Sequence, residues 1–361
     1  METTAAIKAL VVDDSAFNRS AISRMLMSDG DIEVVGVATD GVDAIAKTVR
    51  LSPNVITLDL EMPNMDGYTF LRWLMKERPT PVLVLSARSD SRSVFRALEL
   101  GAVEFIAKPE ARISKSIESI KDELLSKVRG MCNLEMRKVQ STISLLTRER
   151  PAPPLRPEDE IVRQRGPVEV VAIAASTGGP PAIQAILTAL PADLGASIVI
   201  SQHMPQGFTR SFAERMNKLS QLVISEASSG DRLRPGTALI APGGQHLIVE
   251  RDRDGLVASL APVTASDKYA PSADRMMISV ADACGPGALG VVLTGMGNDG
   301  AAGVVAIKKK QGRCLAESEE SAVIFGMPQE AIKTGSVDQV LPLPRMAEEI
   351  LRRCSEQEAR S

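Results

Sequence analysis

Aromatic residues are scarce: seven Phe, two Tyr and one Trp, 3% of 361 residues. That leaves little to stack on bases. Charge of one sign is also missing, since 42 Lys and Arg stand against 45 Asp and Glu, for a net charge of -3. Together these disfavour nucleic-acid binding. No apolar run approaches the roughly 20 residues that span a bilayer, so no membrane insertion is expected. Met1 to Ala6 lead straight into a strand-like run rather than a secretory signal, which points to a cytoplasmic protein. The four cysteines (Cys132, Cys284, Cys314, Cys354) are scattered with no CxxC, as expected of inert thiols in a reducing compartment. There are only two histidines, His203 and His246. A histidine metal site is therefore improbable, and any histidine general base must be one of the two.

In residues 1–129, apolar runs alternate with helical patterns. Ile7–Val12, Glu33–Ala38, Val55–Leu58, Val82–Leu85 and Phe105–Ala107 read as strands; Ala16–Ser28, Val42–Leu51, Tyr68–Glu77, Ser91–Leu100 and Ile113–Arg129 read as helices. Five βα units with short loops predict an α/β domain with a doubly wound parallel sheet. Asp13 and Asp14 follow the first strand, Asp59 the third, Ser86 the fourth and Lys108 the fifth. Strand carboxyl ends form the ligand crevice of such sheets. Three carboxylates gathered there repel one another, and a hard, oxygen-seeking cation such as Mg²⁺ relieves the repulsion. With the Lys108 ammonium added, the cluster suits phosphoryl transfer to a carboxylate.

Asp13-Asp14-Ser15, the run Leu58-Asp59-Leu60-Glu61-Met62-Pro63-Asn64-Met65-Asp66-Gly67 and Lys108-Pro109 resemble the receiver domain of two-component response regulators, a flavodoxin-like fold. The resemblance implies that Asp59 accepts phosphate from a sensor histidine kinase. It implies that Asp14 and Asp59 ligate Mg²⁺ with Asp13 assisting, and that Ser86 and Phe105 match switch positions. Phe105 reads equally well as plain core.

Residues 130–166 form a linker. Met131 to Thr147 can extend a helix, and Arg148 to Glu160 is rich in proline and charge, as in a solvated tether.

The second domain, residues 167–361, alternates strand and helix again. The apolar run Val168 to Ala175 ends in Ser176-Thr177-Gly178-Gly179 and the helix-opening pair Pro180-Pro181. Strand Ser197–Ser201 is followed by Gln202-His203-Met204-Pro205, and strand Ala288–Thr294 by Gly295-Met296-Gly297-Asn298-Asp299-Gly300. A parallel sheet gathers Ser176, His203 and Asp299 at one edge, where they supply a nucleophile, its base and the group that orients the base. The chain order differs from that of α/β-hydrolases, and no G-x-S-x-G elbow surrounds Ser176. Gly295, Gly297 and Gly300 also spell G-x-G-x-x-G, with Glu317 downstream. Asp299 inside that loop opposes a pyrophosphate, so the dinucleotide reading is the weaker one. His246, in a turn-like segment, reads as a structural or second-site histidine.

The segments Ala175 to Pro180, Gln202 to Pro205, Gly207-Phe208-Thr209 and Leu293 to Ala301 resemble the chemotaxis protein-glutamate methylesterases, which join this Rossmann-like domain to a receiver. The resemblance implies Ser176 as nucleophile, His203 as general base and Asp299 as its orienter. The Met296 backbone N–H would join the oxyanion hole, and Gly178 and Gly179 would admit substrate backbone. It further implies demethylation of glutamate methyl esters and deamidation of glutamines on chemoreceptor cytoplasmic domains, no cofactor for hydrolysis, and an unphosphorylated receiver that covers the catalytic crevice. One departure stands out. Lys268-Tyr269-Ala270-Pro271-Ser272 occupies the place of a more basic, histidine- and arginine-containing segment in many members. Two competing readings are a phosphorylation-controlled binding module with a vestigial triad and a DNA-binding regulator. Filled triad positions oppose the first, and the absence of a basic recognition helix opposes the second.

Overall fold

In a computed structural model of the chain, the described residues are 6–87, 91–109, 117–132, 134–147 and 168–355. The chain divides into two compact units, Met1–Ile143 and Ser144–Ser361.

The first unit holds five strands: β1 (Ile7–Val12), β2 (Ile32–Ala38), β3 (Val55–Leu58), β4 (Val82–Ala87) and β5 (Glu104–Lys108). Their order is β2-β1-β3-β4-β5, all parallel. The last four residues of β1, Ala9 to Val12, and all four of β3 are buried, as a sheet covered on both faces requires. The helices Ala16–Met27, Gly41–Leu51 and Gly67–Glu77 open on Ser15, Asp40 and Asp66, whose side chains accept from backbone N–H groups three residues on. Gly67 also meets a steric demand: a Cβ there would lie 2.4 Å from the Asp59 carbonyl oxygen.

The helix expected over Ile113–Arg129 is partly seen. Residues 110–116 lie outside the described residues. The described part is a short 3-10 turn, Glu118–Ile120, followed by the helix Lys121–Met131. The helical reading of residues 131–147 appears as Met136–Thr147, whose Gln140 Nε2 donates to the Met75 carbonyl at 3.1 Å. The Pro-rich tether from 148 onward lies outside the described residues.

In the second unit, β6 (Val170–Ala175), β7 (Ser197–Gln202), β8 (Val223–Glu226), β9 (Thr237–Ile240), β12 (Ala288–Val292), β13 (Arg313–Glu317) and β14 (Gln339–Leu341) form one parallel sheet in the order β14-β13-β12-β6-β7-β9-β8. A ribbon not anticipated from sequence, β10 (Gln245–Asp252) and β11 (Gly255–Pro262), pairs antiparallel beside it. Its turn is Arg253-Asp254, and Gly255 at φ 119° closes it. The helix Ala273–Cys284 packs Met276, Met277 and Val280 onto the sheet at 0% exposure. Cys284, Cys314 and Cys354 are buried, and burial pushes each thiol up to about 12, so all three are unreactive near neutrality.

In both units the sheet order turns outward from a central strand. β1 lies between β2 and β3, and β6 between β12 and β7. These switch points are where each sheet opens a crevice at its carboxyl edge.

Candidate active site and acidic pocket

The first unit's crevice collects the expected residues. Asp13, Asp14 and Asp59 each offer a carboxylate oxygen within 4.8 Å of the others. Asp13 is fully buried and accepts from the Ser15 N–H at 2.9 Å, from Asn18 Nδ2 at 3.2 Å and from Lys108 Nζ at 2.8 Å. Lys108 also bonds Asp59 Oδ2, while Asp59 Oδ1 accepts from the Glu61 N–H at 3.1 Å. Burial lifts the Asp59 carboxyl above its usual range, and neighbouring Asp13 adds to that lift against the pull of Lys108. The Lys108 ammonium pays for its own burial, yet Asp59 and Asp13 hold its affinity for the proton above normal. Three carboxylates facing one ammonium leave negative charge in excess, and the donor set is all oxygen. The pocket therefore fits a small hard cation. Ser86 is buried at the end of β4. Phe105 is 2% exposed on β5, packed inward with the Lys127 ammonium 5.6 Å from its ring centroid.

In the second unit, Ser176 follows the central strand β6, His203 follows β7 on one side, and Asp299 lies beyond β12 on the other. Residues far apart in sequence thus share one edge. The His203 N–H donates to the Ala175 carbonyl at 3.0 Å, which pins the histidine one residue from the serine. Gln202 Nε2 ties the two together, donating to the Ser176 carbonyl at 3.0 Å and the His203 carbonyl at 3.1 Å. His203 Nε2 lies 2.7 Å from Asp299 Oδ2. With Asp299 ionised, Nε2 carries the proton, and Nδ1 is the nitrogen left to act as a base. Among the described residues the Ser176 hydroxyl makes no hydrogen bond. Such contacts commonly tighten only when substrate binds.

Asp299 is held by more than the histidine. Its Oδ2 accepts from the Ala273 N–H at 2.7 Å, and its Oδ1 from the Asp274 N–H at 2.8 Å and Ser272 Oγ at 3.1 Å. These donors form the N-terminus of the helix Ala273–Cys284, whose dipole favours an anion. Asp274 returns the arrangement. It accepts from the Gly300 and Gly303 N–H groups at 2.9 and 2.7 Å, at the start of the helix Ala301–Lys309. Burial pushes Asp299 upward, but its bonds to His203 and the two backbone amides outweigh that and hold it below the usual carboxylate range.

Gly178 and Gly179 are also tightly packed inside the chain. A Cβ on Gly179 would lie 2.0 Å from Gln202 Oε1, and one on Gly178, at φ 77°, would lie 2.8 Å from Val323 Cβ. Glu317 is fully buried and accepts from the Thr294 N–H at 2.8 Å and from Ser321 Oγ at 2.8 Å. It holds the loop after β12 and offers nothing to a ribose, so the dinucleotide reading fails. His246 is structural: at 0% exposure, its Nδ1 accepts from the Ser272 N–H at 3.2 Å, and its Nε2 lies 3.2 Å from Asp267 Oδ2.

Sequence reasoning gave no role to Gln202 or Asp274, and it marked Tyr269 and Ser272 only as part of the segment that departs from the family pattern. The first lies beside a motif residue and has no signature of its own. Pro271-Ser272 ahead of an apolar periodic run is a helix-start signal that could have placed Ser272 and Asp274. Met296 sits beside Gly295, which closely borders the serine, since a Cβ on Gly295 would lie 2.8 Å from Ser176 Cβ.

Comparison with known proteins identifies the family of each unit. The CheB methylesterase family matches residues 171–350, and the response regulator receiver domain matches residues 9–118. The chain is 50% identical to protein-glutamate methylesterase/protein-glutamine glutaminase 3 of Geobacter sulfurreducens, over 96% of this chain and 97% of that protein. It is 46% identical to the similarly named protein 1 of Myxococcus xanthus, over 95% and 96%. Among solved structures, the CheB methylesterase catalytic domain of Thermotoga maritima aligns at TM-score 0.50 and 36% identity, covering 51% of this chain and 98% of that domain. The chain therefore belongs to the CheB methylesterase family, with a response regulator receiver domain ahead of its catalytic domain.

Proposed function

We propose that this chain is a phosphorylation-activated protein-glutamate methylesterase and protein-glutamine glutaminase acting on chemoreceptor cytoplasmic domains in sensory adaptation. Ser176, His203 and Asp299 are its catalytic residues. The observation that carries this reading is the 2.7 Å bond from His203 to a carboxylate seated on a helix N-terminus, beside the serine that ends the central strand.

His203 Nδ1 takes the proton of Ser176 as the oxygen attacks the side-chain carbonyl of a methylated glutamate. The tetrahedral oxyanion lies against backbone N–H donors of the Ser176 turn and of Met296; each such donor is worth about 3 kcal/mol. Collapse releases methanol, which takes the proton from His203, and leaves an acyl-serine. Water then gives a proton to His203 as its oxygen attacks the ester, and free glutamate and serine are restored. With a glutamine side chain the leaving group is ammonia. Asp299 stays ionised throughout and stabilises the imidazolium.

Regulation resides in the first unit. Asp59 accepts a phosphoryl group from a sensor histidine kinase. Mg²⁺ held by Asp13, Asp14 and Asp59 would offset the charge on the phosphoryl oxygens. Lys108 contributes a fixed positive charge there, and Ser86 and Phe105 report the modification. Phosphorylation then shifts the population of the catalytically competent chain.

Methanol release from methylated receptor tests both halves. Ser176→Ala abolishes it, and Asp59→Asn makes the rates with and without a small phosphodonor equal. A serine-reactive phosphonate labels Ser176. A Ser176→Ala variant that keeps releasing methanol, or a native chain that takes no label, defeats the hydrolase reading.

A further inference from the structure

The segment Lys268 to Ser272, where this chain departs from its family's basic pattern, meets the base directly. The Tyr269 ring lies parallel to the His203 imidazole, with 4.6 Å between centroids and 9° between planes. The far end of the same ring abuts the loop after β12: a Cβ on Gly297, at φ 93°, would lie 2.3 Å from Tyr269 Oη. Tyr269 therefore spans from the imidazole to the loop that bears Met296 and Asp299.

The loop that carries it is fastened on both sides. Asp267 accepts from the Thr264 N–H and Thr264 Oγ1, both at 2.7 Å, and lies 3.3 Å from Arg275 Nη1. Three residues after Tyr269, Ser272 is held by His246 through its N–H and bonds Asp299 through its hydroxyl. A ring mounted this way has little freedom to leave the imidazole.

Stacking does two things that the hydrogen bond to Asp299 cannot do alone. One bond at Nε2 leaves the imidazole free to rock about that contact, and a parallel ring fixes its plane. In addition, the face of an aromatic ring is negative and attracts a cation. As Oγ of Ser176 bonds to the carbonyl carbon, its proton moves to His203 Nδ1 and the imidazole becomes positive. Among the described residues, Asp299 bonds its Nε2, Asp274 interacts electrostatically with Asp299, and the exposed Lys268 ammonium lies 5.0 Å from the Tyr269 centroid. The aromatic face is the contact on the plane of the imidazole itself.

We propose that Tyr269 is a positioning residue for the hydrolysis: its ring face fixes the plane of the His203 imidazole and supports the positive charge that forms there. This rests on the reading of Ser176, His203 and Asp299 as the hydrolytic triad.

The test uses the full-length chain with methylated receptor as substrate and Ser176→Ala beside it. Tyr269→Leu lowers kcat about 10-fold to 30-fold with KM within about twofold. Tyr269→Phe, which keeps the ring face, stays within about twofold of the native kcat. Imidazole ¹⁵N spectra give a readout that scaffolding alone would not move. With only two histidines, His246→Gln assigns the signals. Native His203 shows one Nε2–H tautomer with ring protons shifted upfield by the tyrosine, and Tyr269→Leu shows a mixture without that shift. A native kcat in Tyr269→Leu, a Tyr269→Phe as impaired as Tyr269→Leu, or a native spectrum without the upfield shift overturns the proposal. Those results with an inactive Ser176→Ala remove only the role of Tyr269, whereas methanol release by Ser176→Ala removes the triad itself.

Discussion

The acidic pocket of the first unit and the serine site of the second stand at the same topological address, the carboxyl edge beside a central parallel strand. They neutralise charge in opposite ways. In the first, three carboxylates face one ammonium, and Asp59 is lifted above its usual range. In the second, one carboxylate receives two backbone amides, a hydroxyl and an imidazole, and is held below it. A pocket left with excess charge suits the cation and phosphoryl group proposed for it. A pocket whose charge is met by fixed dipoles is ready for proton transfer without further help. On the proposed reading the same sheet edge serves a switch in one unit and a catalyst in the other, and the two differ in the donors around the aspartate.

The largest effect should come from reversing the second arrangement. Asp299→Asn keeps the shape but presents an amide to His203 and favours the wrong tautomer, so kcat falls by about 10³-fold or more with little change in KM. Steady-state methanol release measures it, and a loss under tenfold would mean that the helix N-terminus alone positions the histidine.

Next comes the first arrangement. Lys108→Met removes the ammonium bonded to Asp13 and Asp59, the only one among the described residues, and leaves uncompensated buried charge. It should destabilise the first unit by about 3 kcal/mol. Millimolar Mg²⁺ should recover much of that loss and should stabilise Lys108→Met more than the native chain, as read by thermal melting. Equal Mg²⁺ responses would show that Lys108 and the cation do not share the same excess charge.

Smaller effects probe the supports of Asp299. Ser272→Ala removes a helix cap and one of the donors to Asp299. It should cost about 1 kcal/mol in stability and about tenfold in kcat, checked by denaturant melts and methanol release.

The smallest is a pH effect. Because the Asp299 carboxyl is held below its ordinary value, it contributes stability above the unfolded carboxylate range near 3.8, and that contribution fades as pH falls through its depressed value. The stability gap between the native chain and Asp299→Asn should therefore be full at pH 7 and shrink under acid. A gap that widens on acidification would reverse the sign of the argument.

Much of this was legible in the sequence because its signals are local. A buried parallel strand is a short apolar run, and its end is marked by a polar or glycine-rich turn; hence β1, β3 and β6 and the placement of Asp13, Asp59 and Ser176 could be read directly. His203, Asp299 and Lys108 were read the same way, each just past a strand, and the family resemblance gave their roles. The ribbon β10–β11 was missed although Asp254-Gly255 between two apolar runs is a hairpin signal, because it breaks the strand–helix alternation on which the reading relied.

What the sequence determined by itself is the alternation of strands and helices, the two sheet edges and the residue types set along them, because backbone pattern and burial are encoded over a few neighbouring positions. Only the tertiary structure decided that Tyr269 lies on the imidazole, that Ser272 and two amides hold Asp299, and that Gly178 and Gly179 make room for Val323 and Gln202. Those contacts join segments as much as 145 residues apart. No local pattern records which distant side chain will arrive, because the arrival is fixed by strand order and by how closely the packed layers approach.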